Sequence, residues 1–142
     1  MMSDLTGRCL CGAVHYRISA APVATRLCWC RACQHIAANG TVNMIVPSSG
    51  LETTGKMSEF LSTADSGNEM RRRFCPTCGS HMFANSSSRP QLTVVRVGTL
   101  DDPSSVRPAT NIWAHQAPAW ACLDKNLERI DGQPSPPQVP KK

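Results

Sequence analysis

The chain has 142 residues and a mass of 15.4 kDa, the size of one compact domain. A hydrophobic fraction of 41% and a mean hydropathy of -0.25 exclude a wholly disordered chain. No apolar run approaches the roughly 18 residues that a membrane helix needs, and the N-terminus lacks a secretory signal, so we expect a cytoplasmic protein with no membrane partner.

Short elements separated by turn residues follow one another along the chain. Apolar and polar residues alternate after the first cysteines between Arg8 and Ser19, which predicts a half-buried strand. The spacing from Arg31 to Ala38 predicts a short helix, closed by the helix-ending pair Asn39-Gly40. Five further segments have the composition of β-strands, and they are Thr41–Val46, Leu51–Thr54, Glu59–Thr63, Met70–Phe74 and Gln91–Val97.

These short strands and frequent turns predict a mostly β domain over residues 1–131. From Gly132 onward the sequence is rich in proline and has no apolar face. We therefore predict that residues 132–142 form a disordered tail.

Eight cysteines carry most of the functional information. Two clusters end in glycine: Cys-x-Cys-Gly at 9–12 and Cys-x-x-Cys-Gly at 75–79. The middle cluster, Cys-x-Cys-x-x-Cys at 28–33, has no such glycine, and Cys122 stands alone. In a reducing cytosol, clustered thiols are more often metal ligands or catalysts than disulfides.

Glycine indicates how the clusters pair. A metal-binding turn aims backbone amides at the thiolates, and a following glycine permits the positive φ that such a turn favours. We therefore expect one closed, structural zinc site whose ligands are Cys9, Cys11, Cys75 and Cys78. Closing the long loop costs roughly 3.7 kcal/mol, whereas structural zinc supplies on the order of 10–16 kcal/mol. The alternatives are two disulfides or inert thiols.

The middle cluster leaves three thiolates, Cys28, Cys30 and Cys33. Three protein ligands with one open position are typical of a catalytic zinc, which deprotonates a bound thiol at neutral pH. Three other interpretations stay open. Cys122 or a histidine could complete a second structural site, the three could be a redox trio without metal, or they could be buried thiols.

The charge argues against nucleic acid as a partner. The formal net charge of +5 falls to about +2 when four thiolates hold one Zn²⁺ and three hold another. There is one tyrosine, and no aromatic residues alternate with basic ones. A non-catalytic zinc-binding module for a protein or nucleic-acid partner is the alternative function, and a thiol redox enzyme of the methionine sulfoxide reductase kind is a third.

Taken in order, the three cysteine clusters resemble the glutathione-dependent formaldehyde-activating enzyme family, which includes centromere protein V. The third cluster sits in Arg72-Arg73-Phe74-Cys75, and later blocks of the same family match Val97–Pro103, Asn111–Trp113 and Pro118–Trp120. The likeness covers roughly residues 5–135.

The resemblance implies an Mss4-like fold, in which several curled antiparallel sheets and one or two short helices surround a structural zinc. It implies that Cys28, Cys30 and Cys33 hold a second, labile zinc at which a glutathione thiol reacts. The implied reaction joins glutathione and formaldehyde to S-hydroxymethylglutathione, as a carbon–sulfur lyase. Its partners are therefore a small thiol and an aldehyde, with oligomeric state left open.

A few residues outside the clusters also carry expectations. Many family members have His where this chain has Trp29, so water or His35 must move the proton here. We expect Trp29 to line the site and Cys122 to be a small buried residue. Of Arg71, Arg72 and Arg73, we expect at least two to lie on a solvated strand face beside the third cluster, with Arg72 packing locally. The alternative is that they meet the carboxylates of a glutathione-like substrate or a phosphate backbone.

Overall fold

The computed structural model describes residues 3–138, which form eleven strands and one α-helix. The helix, α1, spans Arg31–Ala37. The strands are β1 Leu5–Arg8, β2 His15–Ile18, β3 Ala24–Cys28, β4 Thr41–Pro47, β5 Leu51–Thr54, β6 Ser58–Thr63, β7 Glu69–Phe74, β8 His81–Ser86, β9 Leu92–Arg96, β10 Thr110–Ile112 and β11 Glu128–Arg129.

The strands make two sheets. The smaller has the order β1-β2-β5, and the larger has the order β11-β10-β3-β4-β9-β8-β7-β6. Neighbouring strands are antiparallel except that β10 runs parallel to both β3 and β11. This architecture confirms the prediction of a mostly β fold with antiparallel sheets and a short helix.

The larger sheet has two faces with different roles. On one face Met44, Val95 and Phe83 lie side by side on β4, β9 and β8 and belong to the apolar core. Tyr16 of the smaller sheet meets the ring of Phe83 edge-on, with ring centroids 5.2 Å apart. Since side chains alternate between faces along a strand, the neighbours of these residues face the opposite way, towards a cavity.

Most predicted elements are confirmed, with bounds that shift by a residue or two. Leu51–Thr54 is observed as predicted, and β4, β6, β7 and β9 match their segments closely. The helix stops one residue early, because Ala38 adopts the left-handed conformation with φ 58°. The alternation predicted after the first cysteines is confirmed in β2, where Tyr16 and Ile18 are buried and His15 and Arg17 are exposed. A turn that carries the cysteines separates β2 from β1, which ends at Arg8.

The C-terminal segment lies against the domain as far as it is described. Trp113 Nε1 donates to Gln133 Oε1 over 2.9 Å, and Arg26 donates to the Ser135 carbonyl over 3.4 Å. The predicted tail extends to residue 142, and its last four residues lie outside the described residues. Within residues 3–138, no helix has the length and apolarity needed to cross a membrane.

Candidate active site and metal centres

The two glycine-ended clusters meet in space. Their four sulfur atoms, from Cys9, Cys11, Cys75 and Cys78, lie within 4.8 Å of one another. Cys11 Sγ is 3.6 Å from Cys9 Sγ and 3.7 Å from Cys75 Sγ. A tetrahedral zinc with bonds of about 2.3 Å has sulfur–sulfur edges of about 3.8 Å. The four-cysteine cluster therefore has the donor type and spacing that zinc requires.

Two tight turns position these sulfurs. Gly12 and Gly79 have φ of 83° and 77°, and each amide donates to the carbonyl of the first cysteine of its cluster. Val14 N–H donates to Cys9 Sγ over 3.2 Å. Hydrogen bonds from Ser80 lower the pKa of Cys78 to about 5. Glycine thus serves the role that its sequence position predicts, and the amides favour thiolate sulfur.

The middle cluster forms a second group, here called the cysteine trio. Cys28, Cys30 and Cys33 also have sulfurs within 4.8 Å of one another. Cys28 is the last residue of β3, Cys30 caps the N-terminus of α1, and Cys33 lies in that helix. Cys30 Sγ accepts the Cys33 amide over 3.4 Å. The end of one strand and the first turn of one helix are therefore enough to bring together three sulfurs that could hold a metal ion.

The trio favours one thiolate when no metal is bound. Hydrogen bonds from Cys28 and Cys30 lower the pKa of Cys33 to about 2, with Arg96 and Asn43 adding to the effect. The same contacts, with burial, raise the pKa of Cys28. These interactions favour the thiolate form at Cys33 over that at Cys28.

The trio opens into a cavity of about 220 Å³ on the second face of the larger sheet. All three cysteines line this cavity, together with the pocket-facing side chains of β3, β4, β7, β8 and β9. Trp113 forms part of its wall, and Gln133 and Pro137 from the C-terminal segment also line it. The four-cysteine cluster does not contribute to the lining, so the two clusters occupy structurally different places.

Two expectations about single residues are wrong, and one of the two proton carriers that the sequence leaves open lies away from the cavity. Trp29 is buried, 3% exposed, and packs beside Gly40 instead of lining the cavity, which Trp113 does. Cys122 is exposed rather than buried and does not join the trio. His35 lies outside the cavity lining, and its Nδ1 is 2.7 Å from the Arg31 carbonyl.

The three consecutive arginines separate. Arg71 is exposed and pairs with Glu59 over 3.5 Å, while Arg73 lies over the Phe83 ring at 5.0 Å. Arg72 is buried and lines the cavity. The local packing expected for Arg72 is therefore observed, and strand alternation places its side chain opposite those of its two neighbours.

Comparisons with known proteins agree with the fold and the clusters. A family model described as glutathione-dependent formaldehyde-activating enzyme matches residues 4–116, which contain all seven clustered cysteines. A crystal structure of a Rhodobacter sphaeroides protein has a TM-score of 0.55 and 24% identity, covering 72% of this chain and 91% of that one. A search of curated proteins found no significant match.

Proposed function

Because the chain belongs to the glutathione-dependent formaldehyde-activating enzyme family, we propose that it is a zinc-dependent carbon–sulfur lyase. Its substrates are thiol–aldehyde adducts, and the reaction is of the S-(hydroxymethyl)glutathione synthase type. The observation that carries this proposal is the position of the trio, whose three sulfurs line a cavity. A purely structural zinc site has no need of such access.

Each cluster has a distinct proposed role. Cys9, Cys11, Cys75 and Cys78 hold a structural zinc, since four sulfurs complete its tetrahedron. Cys28, Cys30 and Cys33 hold a second zinc, with a position left for substrate. Zinc bound there supplies the positive charge that keeps a thiol deprotonated at neutral pH. Eight free thiols also suit a reducing compartment, so we place the protein in the cytoplasm.

The reaction balances without an oxidant or reductant. The thiolate sulfur of the substrate forms a bond to the carbonyl carbon of formaldehyde, and the π pair moves to the oxygen. That oxygen takes one proton and becomes the hydroxyl of the hemithioacetal. In the lyase direction the hydroxyl loses the proton, and the carbon–sulfur bond breaks with its electron pair returning to sulfur.

Water carries that proton in our proposal. Trp29 replaces the histidine that the resemblance suggests between the first two cysteines, and its indole cannot exchange a proton. His35 lies outside the cavity lining, with its ring at the Arg31 carbonyl. Cys30 of the trio is only half-buried and lines the cavity, so a water molecule can reach an alkoxide formed beside the trio.

The test is enzyme-catalysed exchange between free formaldehyde and its glutathione adduct, followed by NMR with isotope-labelled formaldehyde. We expect the zinc-loaded protein to accelerate the exchange and Cys33→Ser to lose that acceleration. Cys122→Ser is the matched control, because this thiol is exposed and outside both clusters. No acceleration by a protein holding two zinc ions would overturn the proposal and favour a non-catalytic zinc module.

A further inference from the structure

Four arginines line the cavity beside the trio. They are Arg26, Arg72, Arg89 and Arg96. The lining contains one acidic residue, Asp65, and none of the ion pairs among residues 3–138 joins it to an arginine. The cavity therefore carries a concentrated positive charge that the protein itself leaves largely uncompensated.

Arg96 is the arginine that contacts the trio through Asn43. It is 6% exposed, and its Nη1 donates to Asn43 Oδ1 over 2.6 Å. Asn43 in turn lies 3.7 Å from Cys33 Sγ. Asn43 thus holds the Arg96 guanidinium beside Cys33, and Arg96 Nε has no hydrogen-bond partner within the described residues.

Arg72 is different, because no negative group of the described chain pairs with it. It is 7% exposed, and its Nη1 donates to the neutral Ser62 Oγ over 2.5 Å. No carboxylate within residues 3–138 comes within ion-pair distance of it. A buried cation with no counter-ion is unfavourable unless a bound anion supplies one.

Sheet register places Arg72 away from the trio. Its neighbours across the sheet are Ala84 on β8 and then Val94 on β9, the strand that also carries Arg96. Cys28 of the trio lies on β3, which is four strands away from β7 in the sheet, and neighbouring strands lie about 4.8 Å apart. A ligand that reaches both the trio and Arg72 must therefore be elongated.

The remaining two arginines extend the positive surface. Arg26 lies on β3, two residues before Cys28, and is half-buried. Its pKa is lowered by burial and by the nearby charge of Arg89. Two like charges this close favour an anion between or above them, and both face the same cavity as Arg72.

We propose that Arg72 binds a carboxylate of the thiol substrate, so that the enzyme selects an elongated thiol that carries a carboxylate at the end far from its sulfur. The planar guanidinium matches a carboxylate with two parallel hydrogen bonds. The inference rests on the proposed function for the thiol end of the ligand. Short thiols such as cysteine reach the trio but not Arg72.

The first experiment changes the ligand and leaves the protein intact. Isothermal titration calorimetry compares glutathione, its diethyl ester and cysteine on the zinc-loaded wild-type protein. We expect both the ester and cysteine to bind at least tenfold more weakly than glutathione. Equal affinity of glutathione and its ester would overturn the carboxylate subsite.

The second experiment changes the protein. Arg72→Gln should weaken glutathione binding about tenfold or more and leave the binding of the diethyl ester unchanged, while Arg72→Lys should recover part of the loss. Arg71→Gln is the matched control, because Arg71 is the neighbouring arginine on the exposed face. If Arg72→Gln does not fold, the half-buried Arg89→Gln should show a smaller loss with the same dependence on the carboxylate.

These outcomes separate the subsite from the proposed reaction. Binding that depends on Arg72 and on the carboxylate, with no acceleration of adduct exchange, would support the subsite and overturn the lyase activity. Acceleration that is equal for glutathione and its ester would support the activity and overturn the subsite. Glutathione that binds no better to the wild type than to Arg72→Gln would also overturn it.

Discussion

Asn43 connects Arg96 to Cys33. Its side-chain oxygen accepts from Arg96 Nη1 over 2.6 Å, and its side-chain nitrogen lies 3.7 Å from Cys33 Sγ. An amide whose oxygen is bound by a cation is a better donor from its nitrogen. The pair therefore stabilises a thiolate on the one trio residue whose pKa falls to about 2.

Asn43→Leu keeps the side-chain size and removes both contacts. We expect the trio to bind zinc 10–100-fold more weakly, because groups that hydrogen-bond a metal ligand have effects of about this size. The four-cysteine cluster should keep its affinity and serves as an internal reference. Competition with a chelating dye measures both sites.

Asn85→Leu is the control for Asn43→Leu. Asn85 also hydrogen-bonds within the larger sheet, to Arg73 and to the Leu92 carbonyl, but it has no contact with sulfur. Equal loss of trio affinity in the two variants would show that general damage to the sheet, and not the contact with Cys33, is responsible.

The two clusters should differ in their effect on stability. Cys75→Ser and Cys28→Ser should each lower the zinc content from two per chain to one, as measured by elemental analysis. Cys75→Ser should also lower the Tm by about 10 °C or more, because its cluster joins chain segments far apart in sequence. Cys28→Ser should change the Tm much less. Similar losses of Tm would contradict the assignment of one structural and one accessible site.

The sequence predicts the four-cysteine cluster well because its signal is local. Gly12 and Gly79 each follow a cysteine directly, and the positive φ of each is a property of one turn. The signals for β4 and β5 are equally local, because Pro47 ends the β-rich run of β4 and Gly50 directly precedes β5. Such features need no knowledge of the rest of the chain.

The missed features depend on distant partners. β3 has no alternation of buried and exposed residues, and it is a strand because β4 and β10 pair with its two edges. The separate roles of Arg71 and Arg72 depend on which sheet face meets the core. Trp29 is buried by packing at Gly40, which the spacing of cysteines cannot reveal.

Gly55 and Gly67 form a matched pair for backbone strain. Both have positive φ, 105° and 86°, but a Cβ at Gly55 would lie 2.2 Å from the Ala13 carbonyl oxygen, whereas a Cβ at Gly67 meets nothing within 4 Å. Gly67→Ala should lower the free energy of unfolding by about 1 kcal/mol. Gly55→Ala should lower it by about 3 kcal/mol, because backbone must also move. Urea denaturation of the zinc-loaded proteins gives both values, and equal losses would contradict the predicted clash.

Tyr16 should report the alkaline stability of the core. It is the single tyrosine of the chain, so the ultraviolet absorbance of phenolate follows it alone. Burial raises its pKa to about 12, partly offset by its hydrogen bond with Thr99. The folded state keeps the phenol neutral up to a higher pH than the unfolded chain does. The contribution of Tyr16 to the free energy of unfolding is therefore complete below about pH 10 and is lost between about pH 10 and 12, where only the unfolded chain ionises readily.

The loss of stability from Tyr16 should approach about 2–3 kcal/mol at pH 12. The same absorbance titration in denaturant should give the ordinary pKa of about 10. Titration near 10 in the folded protein would mean that water reaches the phenol.

The C-terminal segment should enclose the cavity without supporting the fold. Ending the chain after Gly132 removes Gln133, Ser135 and Pro137, but keeps the hydrogen bond from the Trp113 amide to the Gly132 carbonyl. We expect the Tm to change by no more than about 2 °C, because few buried apolar contacts are lost.

The truncated protein should bind glutathione several-fold more weakly, since one wall of the cavity is removed and solvent takes its place. The truncation should also shift tryptophan emission to the red, because Trp113 Nε1 loses its partner Gln133, and Gln133→Ala should reproduce that shift. A large fall in Tm would contradict a domain that ends near residue 131, and unchanged binding would show that this segment does not enclose the ligand.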